Sequence, residues 1–295
     1  MGILFAFSSA FCYALGTVLT KKGMSGRQTN AYFLTTFMNV VVIALALTVS
    51  ILWTGFGRWN WVAVFFFVLS GALTTGLGRI SLFASMSRLG PSRSAAIKNG
   101  APIFTLLFAL LILQERIDPL SWIGIFLMLI AIAIQGYFLF RQDGEEENRR
   151  SNRIGYLFAV ISGLGFGIGQ GVRQLGLDAW RDPILGAFLG VLTAFFIAIA
   201  IELAQGRLIS TVKQSFAQAS GWFYLSGTIL GFGPIFFFLA IYFTQLSYVS
   251  MIMGAEPVFT TILSYFLLRG EGRIPLNVWL SVAFIVSGAV LIAFG

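Results

Sequence analysis

Ten apolar runs, each long enough to cross a bilayer, follow one another along this chain with short polar breaks between them. They fall at roughly 3–20, 31–53, 60–87, 93–113, 120–140, 154–174, 184–203, 221–247, 248–268 and 276–294. A membrane helix needs about 20 mostly apolar residues, so each run predicts one helix. Runs 60–87 and 221–247 exceed that length and predict tilted helices or helices that pass the interface. Apolar character hardly drops at the joint between the eighth and ninth runs, placed at Tyr248.

One break differs from the rest. Residues 141–153 (Arg-Gln-Asp-Gly-Glu-Glu-Glu-Asn-Arg-Arg-Ser-Asn-Arg) are polar, mixed in charge and without apolar periodicity, as in a solvated linker. They separate a first unit, 1–140, from a second, 154–295, with five predicted helices in each.

The two units match in sequence. Gly2-Ile3-Leu4-Phe5-Ala6 aligns with Gly155-Tyr156-Leu157-Phe158-Ala159, and at the same offset Ser9, Gly16 and Gly23 meet Ser162, Gly169 and Gly176. Ser70-Gly71 with Gly76-Leu77-Gly78 is echoed by Ser226-Gly227 with Gly231-Phe232-Gly233. Ala101-Pro102-Ile103-Phe104-Thr105 aligns with Glu256-Pro257-Val258-Phe259-Thr260, and each is followed by an acid (Glu115; Glu271) and a proline (Pro119; Pro275). Because five is odd, the second unit must enter the membrane from the opposite side. The predicted fold is therefore an all-α membrane protein of ten transmembrane helices, arranged as two inverted five-helix repeats around a central cavity. In secondary transporters of that kind the site lies near the midplane, where the repeats meet.

Composition agrees. Of 295 residues 58% are hydrophobic and only 10% charged, against about 25% charged in soluble domains. Mean hydropathy is +0.89. The net charge of +8 comes from 19 basic and 11 acidic residues, most basic ones between the apolar runs. That placement points to lipid as the partner rather than nucleic acid. Breaks after the odd-numbered helices hold most of them, among them Lys21, Lys22, Arg149, Arg150 and Lys213. The bias predicts the linker inside the cell and both termini outside. Met1-Gly2-Ile3-Leu4-Phe5 enters the first run without a basic stretch and reads as a membrane helix, not a cleaved signal.

Several chemistries are absent. There is no histidine and one cysteine, Cys12, in an apolar run, so neither a metal site nor an internal disulfide is expected. No Gly-x-x-x-x-Gly-Lys-Ser/Thr, Gly-x-Ser-x-Gly or His-Glu-x-x-His motif occurs. The expectation is a protein that is not an enzyme and uses no cofactor.

Polar groups inside apolar runs are costly, about 2.5–3.5 kcal/mol for a mid-membrane charge. Arg79, Lys98-Asn99 and Glu256 are the candidates for a substrate site, with Gln170, Tyr13, Tyr242 and Tyr265 as hydrogen-bonding partners. Arg173 and Glu202 lie near the ends of their predicted segments and are expected to snorkel. Lys98 and Glu256 hold nearly equivalent places in the two repeats. Two readings follow: they pair and hold a closed state, or Lys98 and Arg79 attract an anionic group while Glu256 takes a proton or a substrate amine. Pro102 and Pro257 each remove a backbone donor and predict kinks suited to gating. Gly163, Gly165, Gly167, Gly169 and Gly171 give the sixth helix two small-residue faces for close packing. All 7 tryptophans fall near run ends, as an interfacial belt requires.

The small-Pro-x-x-Thr signals of helices 4 and 9, within Lys98–Glu115 and Gly254–Glu271, and the five-plus-five pattern resemble the EamA-type branch of the drug/metabolite transporter superfamily. That resemblance implies a bacterial inner-membrane exporter of amino acids, other metabolites or drugs, open alternately to each side. Helices 1, 3, 4, 6, 8 and 9 would line the cavity and helices 5 and 10 would pack peripherally. Asn99-Gly100-Ala101 stands where aromatic amino-acid exporters of the family are expected to carry aromatics before the helix 4 proline. The resemblance also implies cytoplasmic termini, opposite to the charge bias. The expected function is a secondary transporter exporting a small polar metabolite, with the proton as a coupling ion. Multidrug or cation efflux, with Glu256 in an aromatic cavity, is the alternative, and a non-transporting membrane scaffold comes third.

Overall fold

The computed structural model describes residues 1–24, 31–55, 57, 59–142, 152–268 and 276–295. Among them every regular element is helical: α1 (Gly2–Met24), α2 (Ala31–Thr54), α3 (Trp61–Gly71), a π-helical stretch (Ala72–Gly78), α4 (Arg79–Leu89), α5 (Pro91–Lys98), α6 (Ala101–Leu111), α7 (Pro119–Gln142), α8 (Asn152–Ala179), α9 (Pro183–Ala204), α10 (Leu208–Ala217), α11 (Gly221–Phe243), α12 (Leu246–Met253), α13 (Glu256–Leu267) and α14 (Leu276–Phe294). These form ten spans among the described residues, because α3 runs through the π-helical stretch into α4, and α5–α6 and α12–α13 each cross as a pair. Glu271, Pro275 and residues 143–151 of the linker lie outside the described residues.

Two boundaries and one helix differ from the sequence reading. The eighth and ninth spans separate at Thr244-Gln245, not at Tyr248, because the Thr244 backbone is extended and ends α11. Helix α8 runs past residue 174 to Ala179, which moves Arg173 inward from a helix end. Helix α10 was not expected. Its apolar and polar residues segregate to opposite faces, the pattern of a helix lying along a membrane interface.

The prolines do not bend continuous helices. Spans 4 and 9 are interrupted just before Pro102 and Pro257, at Asn99-Gly100 and at Gly254-Ala255. Each proline then stands in the first turn of the helix that follows, where its missing N–H costs nothing. Both repeats therefore contain a broken helix at the same place.

Packing follows the repeat symmetry. Helix α1 packs on α11 and on α12–α13; its counterpart α8 packs on α3–α4 and on α5–α6. Helix α7 pairs with its own counterpart, α14. Glycines let these backbones approach. A Cβ on Gly165 would lie 2.9 Å from Gly78 N, and one on Gly124 would lie 2.5 Å from the Gly288 carbonyl oxygen. The glycine faces of α8 are thus packing surfaces, as the spacing predicted.

At the end of the bundle opposite the linker, the α6–α7 turn clamps the start of α12. Gln114 takes φ 53° and turns the chain so that Glu115 receives the Leu246 N–H (2.8 Å) on one oxygen and the Ser247 N–H (3.0 Å) on the other. Those are unpaired donors of a helix N-terminus, satisfied by a charge. Asp118 accepts from the Ser121 N–H at 2.9 Å and from the Tyr248 hydroxyl at 3.1 Å. Ser121, through side chain and backbone, and then Tyr248 hold the Asp118 carboxyl down to about 2 from 3.8. The folded-state value is depressed, so this contact is intact through neutral pH and is lost only as pH falls through about 2. Glu115→Ala is expected to lower stability by about 1–2 kcal/mol, measured as a lower midpoint of thermal unfolding in detergent. An unchanged midpoint would show that the clamp contributes nothing.

Candidate functional site

The two helix breaks face one another. Around them lies a cavity of about 60 Å³ lined by Lys98, Asn99, Ala101, Pro102, Ile132, Gln135, Phe166, Gln170, Met253, Gly254, Glu256 and Pro257, room for roughly four waters. The broken helices supply its ends. Lys98 is the last residue of α5 and Glu256 the first of α13, where the positive end of the helix dipole favours a carboxylate. Lys98 and Glu256 share this cavity without forming an ion pair to each other. The Lys98 ammonium instead lies over the Phe166 ring, 5.0 Å from its centroid.

Helix α8 provides one wall. Phe166, Gln170 and Arg173 recur at four and three residues, which puts them on one helix face. Gln170 accepts a long hydrogen bond, 3.4 Å, from the Thr105 hydroxyl, which also bonds the Ala101 and Gly167 carbonyls at 3.2 Å each. This ties α6 to α8 beside the break.

Arg173 corrects the sequence reading. It does not snorkel to the membrane edge: its guanidinium lies over Phe237 and Phe238, 5.0 and 5.6 Å from their centroids, and reaches the Tyr13 hydroxyl. Its Nε is buried with no hydrogen-bond partner. Tyr13, held against Gly233 of α11, lies in the field of Arg173, Glu256 and Arg79 together. Arg79 opens α4 directly after the π-helical stretch, a wide turn often found at functional sites. Glu202 behaves as expected of a helix-end residue, 4.0 Å from Arg207 and bonded by the Thr211 hydroxyl at 2.8 Å.

The structure thus brings Lys98, Asn99, Gln170, Glu256, Pro102 and Pro257 to the cavity and sets Tyr13 within the electrostatic reach of Arg173, Glu256 and Arg79. It does not bring Tyr242 or Tyr265 there. Tyr242 is one residue from the end of α11, under the Arg181 guanidinium at 5.4 Å, and Tyr265 is near the end of α13 against Phe266.

Gln135 is the polar lining residue that the sequence reading does not single out. It is 8% exposed, and neither amide atom has a hydrogen-bond partner. A lone glutamine in the apolar run 120–140 was the available signal, masked because helix 5 was expected at the periphery. Helix α7 does pair with α14, yet its Ile132 and Gln135 reach the cavity.

A separate groove of about 370 Å³ opens on the flank of the bundle among Phe7, Ser8, Phe11, Cys12, Phe236 and Phe259. Its wall residue Phe259 is three residues from Glu256 on α13, so only one helical turn separates groove and site.

Comparison with known proteins agrees with this architecture. A family model described as "EamA-like transporter family" matches residues 1–136 and 153–294, once over each repeat. A comparison with curated proteins finds no match. A solved structure titled only "Crystal structure of protein" superposes with a TM-score of 0.72 at 17% identity, covering 98% of this chain and 95% of the other; at that identity it speaks for the fold alone. By a family match over nearly its whole length, this multi-pass chain belongs to the EamA-like transporter family of the drug/metabolite transporter superfamily.

Proposed function

We propose that this protein is a secondary transporter that exports small polar metabolites, amino acids among them, by alternating access across a bacterial inner membrane, with the linker facing the cytoplasm. One observation supports it above the rest. Lys98 and Glu256, of opposite charge and without an ion pair among the described residues, face a single small cavity at symmetry-related helix breaks. Charges inside a membrane span persist where they face a wet cavity or a ligand. In this reading the interrupted spans act as hinges at Pro102 and Pro257, and Glu256 holds either a cargo ammonium or the coupling proton. The nearby Arg79, Lys98 and Arg173 repel cationic cargo, which sets multidrug cation efflux behind.

The test is flux. Purified protein in lipid vesicles should exchange labelled amino acids across the membrane, faster with a pH gradient of one sign than of the other. Vesicles that take up no amino acid or other polar metabolite, with or without a gradient, would defeat the reading and favour the scaffold.

A further inference from the structure

The two repeats differ in charge at one matched position. Helix α13 begins with Glu256, so its positive N-terminal end carries its own counter-charge. Helix α6 begins at the aligned residue, Ala101, and has no acid in its first turn. Three further groups converge on that end. Lys98 stands three residues before it and lines the same cavity. The Asn99 amide lines it as well. Gln135, 92% buried by its 8% exposure, presents an amide with neither atom bonded. Each unmade hydrogen bond of a buried polar group is costly and favours a ligand that completes it. A helix N-terminus, an ammonium and an amide N–H are all complementary to an oxyanion.

The charge balance of the membrane interior points the same way. Between the helix ends the described spans hold Arg79, Lys98 and Arg173 against the single carboxylate Glu256. Arg173 continues the Phe166–Gln170 face of α8, seven residues beyond Phe166 and so about 10 Å farther along the axis. Phe166 carries Lys98 at one end of this stripe, and Arg173 lies at the other beside Tyr13. A neutral zwitterion would leave that excess of positive charge unchanged. A cargo with a surplus of negative charge offsets it.

Resting on the transporter reading above, we infer that the cargo is a small organic acid of net negative charge, with one acidic group seated at the N-terminus of α6 between Lys98 and Gln135, where the second repeat carries its own Glu256. The shared chemistry is the carboxylate.

Matched acid and amide probes test this. Purified full-length protein in detergent is titrated with glutamate against glutamine, and with succinate against succinamide, at equal ionic strength. Thermal unfolding is followed, since a bound ligand raises the midpoint. The acid of at least one pair should bind at least about tenfold more tightly than its amide. Ala101→Glu builds the missing counter-charge into α6 and should abolish the acid-dependent shift. Lys98→Gln, which adds no bulk, should do the same if Ala101→Glu fails to fold. Amides that bind as well as the acids in both pairs, or acid binding unchanged in Lys98→Gln, would overturn the inference. The two readings fail separately. Amides exchanged across vesicles without any preference for acids leave the transporter reading standing and remove this one. Acids bound with wild-type preference but never moved across vesicles leave the anion site and remove export.

Discussion

Glu256→Gln is expected to abolish cargo-driven flux in reconstituted vesicles while leaving the protein folded. The carboxylate opens α13 at the break in span 9 and faces the cavity. Among the described residues no side-chain hydrogen bond or ion pair occupies it, so its removal breaks none of those contacts. Glutamine keeps the shape and an acceptor but can neither release a proton nor balance a cation. A carboxylate that meets a cargo ammonium or a coupling proton contributes about 1.5–3 kcal/mol, roughly 10- to 100-fold in binding. The unfolding midpoint should stay near wild type, because glutamine keeps the side chain's shape. Flux at the wild-type rate, with the wild-type dependence on the pH gradient, would remove Glu256 from the site.

Gly124→Leu is expected to have the largest effect on stability. Helices α7 and α14 touch backbone to backbone at Gly124 and Gly288. A Cβ on either glycine would lie 2.5 or 2.6 Å from the other's carbonyl oxygen, closer than nonbonded atoms approach. The clashing atoms are backbone, so no side chain can rotate away, and the helices must separate. Overpacking costs about 1–3 kcal/mol where neighbours adjust; here the apposed contact along α7 and α14 is lost as well. Gln135 and Ile132 lie farther along the same helix, so cargo-dependent stabilisation should fall with the unfolding midpoint. Gly136→Leu on the same helix is the control. A Cβ there would meet no atom closer than 4.0 Å, and a much smaller change is expected. Equal effects of the two substitutions would show that the close approach is not what holds the pair.

The repeat was legible in the sequence because it is written in residue types that have few substitutes. Glycine is needed where helices touch, as at Gly165 against Gly78, and proline is best tolerated in a helix's first turn, as at Pro102 and Pro257. These leave marks that survive in both halves. The site was half legible. Lys98 and Glu256 stood out because a charge in an apolar run is expensive. Tyr242 and Tyr265 drew attention for the same polarity, but a tyrosine near a span end satisfies its hydroxyl without facing a cavity. Arg173 reads as a helix-end residue in a segment that ends at 174, and the five further residues of α8 make it an interior one. Gln135 was passed over because an uncharged amide in a long apolar run carries only a weak signal.

The sequence by itself determined that the chain crosses the membrane ten times, that its halves match, and that an odd number of helices per half inverts one against the other. Hydrophobic length and parity are one-dimensional properties, so counting along the chain is enough to read them. The tertiary structure alone decided which polar groups share a space. Lys98, Gln135, Gln170 and Glu256 come from four spans, and only the packing of those helices makes them neighbours. It also decided that Lys98 and Glu256 stand apart rather than pair. Coulomb attraction between two aligned charges depends on a distance that no alignment contains.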